Sequence, residues 1–297
     1  MGKAKPIQLC PETLEDRTVP AVTASFVGGI LTVNGDSAAN VILVAADAGG
    51  NIVVTERGGT VPIIGGVLAT RDNTNLVIIN GRNGADDLQT DRSLNVLDAN
   101  GVLRKAASVV MRGGNGNDFL KVGHGGIVPD ANGNVVDANG VVIGTVVGNA
   151  SMFGDNGNDT LISGFGNDLM FGGRGDDNYV WPPGTLTDIW DGGPGRDTVT
   201  IIGNDGANDN FLLTAGLNGH ATFARTNLVQ FTVDIANTER IVLKPGTGDD
   251  TIIIGDLTGV RRLRRVIVDG GGGNDTLDAT AQVNRRVRLS AVNVALA

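Results

Sequence analysis

The chain has 297 residues, a formal net charge of −9 and a pI near 4.7, with 46 glycines and only 4% aromatic residues. Its acidic residues are 28 Asp against 4 Glu, and Lys supplies only 5 of its 23 basic residues. Glu and Lys favour helices whereas Gly and Asp favour turns, so a helical protein is excluded. The acidic balance also excludes a nucleic-acid binder, which needs a basic footprint, and fits a small cation as partner.

Residues 1–21 read as an N-terminal tail or targeting segment, with Pro6, Pro11 and Pro20 among mixed charges. They lack the apolar run of ~7–15 residues that a standard signal peptide carries. Cys10 is the only cysteine, which excludes an intrachain disulfide and a thiolate metal site. No stretch approaches the ~18–20 apolar residues of a membrane-spanning helix. From Thr23 onward, short β-branched runs alternate with Gly/Asn/Asp punctuation. "ILTV", "VILVAA", "NIVVTE", "NLVII", "ASVVM", "DTVTIIG", "ERIVLK", "DTIIIG" and "RVIVDG" are strand-sized and bounded by turn residues. No window holds a 3.6-residue apolar period, so almost no helix is expected.

A second period runs through the middle of the chain. Residues 154–180 divide into "GDNGNDTLI", "SGFGNDLMF" and "GGRGDDNYV", each with Gly fourth, Asp sixth and a large side chain eighth: Leu161, Met170 and Tyr179. Gly148, Gly157, Gly166, Gly175 and Gly184 are spaced nine apart. Single units recur as "GRNGADDLQ" (81–89), "GGNGNDFLK" (113–121), "GGPGRDTVT" (192–200), "PGTGDDTII" (245–253) and "GGGGNDTLD" (270–278). "GDSAANVIL" (35–43) and "NDGANDNFL" (204–212) are decayed copies. A fixed short period marks a stacked architecture in which each unit buries its hydrophobe only against its neighbours. Residues 22–297 are therefore expected to form a single, elongated, all-β parallel β-solenoid, a β-roll or β-helix. Its coils should be short and regular at 145–200, longer and irregular on the flanks.

Glycines permit the left-handed backbone of a tight turn, and the place-eight side chain faces inward. Stacked strands lie ~4.8 Å apart, so repetition brings Asp carboxylates of successive coils together. At ~5 Å two unit charges repel by about 0.8 kcal/mol in water and about 3 kcal/mol at an effective dielectric of 20. A cation between them removes that cost. Carboxylates and loop carbonyls are hard oxygen ligands, which suit Ca²⁺ better than Zn²⁺ or Mg²⁺. The pattern GGxGxD followed by x-hydrophobe-x resembles the hemolysin-type calcium-binding nonapeptide of RTX proteins. That resemblance implies parallel β-roll coils, Ca²⁺ held between adjacent loops and ordering by the metal, together with secretion to the exterior or cell surface. Separately, "LEDRTVPA" (14–21) resembles a short N-terminal segment of large bacterial surface or exported proteins.

Two units make one turn, so loops 154–159 and 172–177 should share an edge. A two-residue lengthening after Val180 brings 192–197 onto the same edge. The expected ligands there are Asp159, Asp177 and Asp197, with Gly154, Gly157, Gly172, Gly175, Gly192 and Gly195 shaping the loops and offering carbonyls. Asp168 lies on the opposite edge, facing Ala150 and Leu186, and makes a partial site. Asp250 and Asp275 form another pair, while Asp86 and Asp118 are candidates in isolated loops. Weighed against this is a metal-free turn, although Asn would fill such turns without charge repulsion. Tyr179 is expected in the core rather than in catalysis. No H-E-x-x-H or G-x-S-x-G motif occurs. The arginine clusters 261–265 and 285–288 are weighed as a contact for anionic polysaccharide or an envelope surface, against a solvated strand face. The expected function is therefore non-enzymatic Ca²⁺ binding with a structural, adhesive or matrix role. The alternative is a carbohydrate-active lyase or epimerase on a parallel β-helix, for which the acid–base residues are few.

Overall fold

The computed structural model describes residues 22–97, 103–123, 135–136, 142–144, 149–164, 166–182, 187–227, 230–284 and 286–296. The tail 1–21 with Cys10, and also His124, Gly148, Gly184, Leu186 and Arg285, lie outside them. Among the described residues there is no α-helix, only two 3-10 turns, Arg92–Leu94 and Leu217–Gly219. The remainder is strand and turn. Two long sheets of 14 and 11 strands enclose one buried apolar cluster.

The short runs become strands because their side chains alternate between core and surface. Along Leu76–Asn83, Val77 and Ile79 are buried while Leu76 and Ile78 are only partly covered. One regular coil leaves Ala150–Asn156 in the first sheet and turns into Thr160–Ile162 in the second. It then turns back into Leu169–Arg174 in the first sheet. Parallel pairing sets Met152 beside Met170 and Leu161 beside Tyr179, eighteen residues on in each case. The next coil is two residues longer, pairing Met170 with Trp190 and Tyr179 with Val199.

These registers line up the core in rows. Leu88, Leu120, Leu161, Tyr179, Val199, Ile241 and Val266 are consecutive partners in the second sheet, and all are fully buried. In the first sheet Met111, Met152, Met170 and Trp190 stack in the same way. Tyr179 and Trp190 stack at 5.2 Å between ring centroids, and Trp181 lies 4.1 Å from Phe231. The Tyr179 hydroxyl donates to Asp188 Oδ2 at 2.9 Å and lies 3.0 Å from Ser163 Oγ. The lone tyrosine is thus a core residue with a satisfied hydroxyl.

The flanks depart from the short coil. Val33 pairs with Ile79, Ile79 with Met111 and Met111 with Met152, each coil holding long excursions. Antiparallel strands Thr23–Val27 and Ile52–Glu56 close the N-terminal end. Farther along, Asn210–Ala215, Ala221–Arg225 and Phe231–Ala236 form an antiparallel meander inside the first sheet. It separates Asp188–Asp191 from Thr251–Ile254.

The loops stack as closely as the strands do. Gly157 has φ +139°, and a Cβ there would overlap the Gly116 carbonyl oxygen of the preceding coil. Gly206 also has positive φ (+80°), but open space surrounds it. Gly157→Ala is therefore expected to lower unfolding stability by ~2–4 kcal/mol, combining backbone strain with overpacking. Gly206→Ala should cost only about 1 kcal/mol. Urea unfolding measures both, and equal losses would show that loop stacking is not what constrains Gly157.

Candidate metal site

Each loop leading from the first sheet to the second ends on its place-six residue. The pairing of the following strand fixes that residue's height. The backbone N–H of Asp159 donates to Asp177 Oδ1 (2.8 Å), and that of Asp177 donates to Asp197 Oδ1 (2.9 Å). The row extends backwards through the isolated loops. Asn40 donates to Asp86 Oδ1 (2.7 Å), Asp86 to Asp118 Oδ1 (2.8 Å) and Asp118 to Asp159 Oδ1 (2.7 Å). One column on one edge therefore contains Asp86, Asp118, Asp159, Asp177 and Asp197, and at its far end Asp197 donates to Glu239 Oε2 (2.8 Å).

One oxygen of each carboxylate is used by this ladder. The other is not. Oδ2 of Asp86, Asp118, Asp159, Asp177 and Asp197 is buried with no hydrogen-bond partner. Buried polar atoms without partners are rare and costly, and here they recur in register. The place-one glycines lie against them. A Cβ on Gly154 would overlap both Asp159 Oδ2 and the Gly172 carbonyl oxygen. A Cβ on Gly172 would meet Asp177 Oδ2 and lie 2.7 Å from the Gly192 carbonyl oxygen; one on Gly192 would lie 2.6 Å from Asp197 Oδ2. The place-four glycines are closer still, Gly175 on the Gly157 carbonyl and Gly195 on the Gly175 carbonyl. Free carboxylate oxygens and glycine carbonyls thus line the same narrow seam. Among the described residues no three His, Cys, Asp or Glu side chains converge on one point. A cation in this seam would take its further oxygens from the loop carbonyls, a donor set suited to a hard ion.

The opposite edge carries two shorter columns. Ala150 donates to Asp168 Oδ1 (2.7 Å) and Asp168 to Asp188 Oδ1 (2.9 Å). Asp209 donates to Asp250 Oδ1 (2.7 Å) and Asp250 to Asp275 Oδ1 (2.8 Å). Oδ2 of Asp168, Asp250 and Asp275 is again buried and unpartnered. The antiparallel meander separates the two columns. At the break, Arg225 pairs with Asp209, both side chains being almost wholly buried. The Asn204 amide, turned to present its oxygen, accepts from the same guanidinium at 3.3 and 3.2 Å.

Burial raises these carboxyls first, and neighbouring carboxylates add to it for most of them. Asp159 and Asp197 are pushed up to about 7, and Asp118 and Asp177 to about 6. On the opposite edge Asp168 reaches about 8, with Asp188 beside it, and Asp250 about 6. The ladder N–H bonds pull the other way but do not offset the desolvation.

The expected partner of Asp168 needs correction. It is Asp188, not Leu186, that stands at its height, because the two-residue lengthening before the next strand shifts place six to Asp188. The signal was legible: the same lengthening that aligns Asp197 also aligns "TDIW". Asp209, in a decayed copy, and Glu239, in a turn of only three residues, were also missed. So was a second ladder at place five. Asn158 N–H donates to Asn117 Oδ1 (2.9 Å), Asp176 to Asn158 Oδ1 (2.8 Å) and Arg196 to Asp176 Oδ1 (3.0 Å). That ladder accounts for the frequent Asn before the Asp. Within the 261–265 cluster, Arg262 pairs with Glu239, and Arg265 Nη2 lies 3.4 Å from Ser290 Oγ.

No curated protein and no solved structure matches the chain. The RTX calcium-binding nonapeptide repeat matches in four copies, over residues 147–179 and 266–284. The first span holds Asp159, Asp168 and Asp177, and the second holds Asp275. Loops 81–86, 113–118, 192–197 and 245–250 lie outside those spans yet carry Asp in the same ladders. The chain carries RTX calcium-binding nonapeptide repeats, wound into a two-sheet parallel β-solenoid.

Proposed function

We propose that this chain is a Ca²⁺-ordered structural module, exported to the cell exterior or surface, with an adhesive or matrix role rather than an enzymatic one. The supporting observation is the register of buried, unpartnered Asp Oδ2 atoms beside stacked glycine carbonyls. In this reading Asp86, Asp118, Asp159, Asp177 and Asp197 hold ions between successive loops on one edge. Asp168 with Asp188, and Asp250 with Asp275, do so on the other. The carbonyls of Gly154, Gly157, Gly172, Gly175, Gly192 and Gly195 supply further oxygens. Bound Ca²⁺ supplies positive charge where the carboxylates are crowded. The ladder N–H groups hold each carboxylate at its height before the ion arrives. Weak sites suit a calcium-rich exterior, so folding would be coupled to export. The arginines of 261–265 other than Arg262, with those of 285–288, would then serve contact with anionic polysaccharide or the envelope.

Adding Ca²⁺ to EGTA-treated chain is expected to increase the β-sheet circular dichroism signal and raise the melting temperature. A spectrum and a melt unchanged by chelation would reject calcium ordering. Asp177→Asn keeps an acceptor for the Asp159 N–H but removes a charge shared by the loops on both sides. Its calcium affinity should fall by ~10-fold or more, the loss of about 1.4 kcal/mol or more of charged ligation. An unchanged isotherm would show that Asp177 is no ligand.

The raised carboxyls set the sign of the pH dependence. Their folded values exceed an unfolded value of about 3.9, so protonation favours the metal-free fold. That contribution is full below about pH 4 and is lost as pH rises through about 6 to 8. In EGTA the chain should be more stable to urea at pH 5 than at pH 8. Calcium affinity should run the opposite way and release protons. Metal-free stability that rises with pH would contradict this account.

A further inference from the structure

We propose that Arg262 is a built-in cation that terminates the main carboxylate column, occupying with its guanidinium the place a Ca²⁺ ion would take after loop 192–197. The inference rests on the calcium reading above and identifies where ion binding stops. Three rows of oxygen atoms run along this edge. The place-two carbonyls stack loop on loop, with Gly193 seated on the Gly173 carbonyl. The place-four carbonyls do the same through Gly116, Gly157, Gly175 and Gly195. The third row is the place-six carboxylates.

All three rows end on one side chain. Arg262 Nη1 donates to the Gly193 carbonyl (3.1 Å), Nη2 to the Gly195 carbonyl (3.2 Å) and Nε to Glu239 Oε1 (2.6 Å). Glu239 stands at the place-six height, since Thr198 pairs with Arg240, and its Oε2 accepts the Asp197 N–H. The chain explains the substitution. The turn between Phe231–Ala236 and Arg240–Lys244 has only residues 237–239, too few to build another glycine loop over 192–197. The next connection, 255–264, is long enough to reach back across it. A guanidinium presents a fork of donors to carbonyls and carboxylate together. It brings one positive charge to a position where no further glycine loop stacks and where the Gly193 and Gly195 carbonyls and the Glu239 carboxylate would otherwise be left facing a metal ion. Arg225 against Asp209 repeats the theme at the head of a column on the other edge.

The test is calcium stoichiometry of the full chain by isothermal titration calorimetry. Arg262→Ala and Arg262→Gln should each bind one more Ca²⁺ per chain than the parent. Adding Glu239→Ala to either should return the count to the parental value. Arg262→Lys, which keeps the charge, should leave the count unchanged. A parental chain that binds Ca²⁺ while both neutral variants show the same count overturns the proposal alone. A parental chain that binds none removes the calcium reading and this inference with it. If Arg262→Ala fails to order in Ca²⁺, the longer, neutral and polar Arg262→Gln decides.

Discussion

The repeat spacing of a parallel solenoid, about 4.8 Å from strand to strand, sets every residue on top of its counterpart in the next coil. Apolar side chains gain from that arrangement, and the methionine and leucine rows are its product. A carboxylate does not. The structure resolves half of the problem within the backbone, because each Asp Oδ1 takes the N–H of the neighbouring place-six residue. Oδ2 is left buried in a line of like charges. An amide would satisfy the ladder equally well. At place five the amides of Asn117 and Asn158 each take the N–H of a neighbouring coil through Oδ1. The ladder alone therefore does not require aspartate, and the charge at place six has to serve something outside the protein's own hydrogen bonding.

Places five and six make the same point by contrast. Both form coil-to-coil ladders, running in opposite directions along the stack. Place five is exposed and is filled by Asn117, Asn158 or Asp176. Place six is buried and is Asp in every loop of the main column from 81–86 to 192–197. If turn formation were the whole requirement, the buried position would be the one to lose its charge.

The core and the main column were legible because both follow from a period, which needs no knowledge of distant contacts. Counting in nines, with one two-residue lengthening, aligned Asp159, Asp177 and Asp197 correctly. What escaped was whatever depends on partners remote in the chain. Asp86 and Asp118 join the column across long intervals of sequence, and the Asp118 N–H reaches Asp159 Oδ1 at 2.7 Å across 41 residues. Glu239 has no glycine signature at all, and only the pairing of Arg240 with Thr198 reveals its height. The arginine cluster is equally opaque in sequence, since charge alone does not say that Arg262 points back to a loop some seventy residues earlier.

Insertions are tolerated here because stacking is local: each coil needs only its two neighbours. An excursion on one edge leaves the other edge in register. An excursion within a sheet is more disruptive. The meander 210–236 keeps the main column continuous to Glu239 but divides the opposite one between Asp188 and Asp209. Where stacking breaks, a carboxylate loses the neighbour that would share its compensation; Asp209 and Glu239 each take an arginine there, whereas Asp188 takes the Tyr179 hydroxyl. The guanidinium on Asp209 is sealed inside, whereas that of Arg262 remains partly open to solvent. A buried carboxylate without a partner would be costly at either position. The length of each carboxylate column is thus set by where the next loop fails to stack, and arginines mark two of those places.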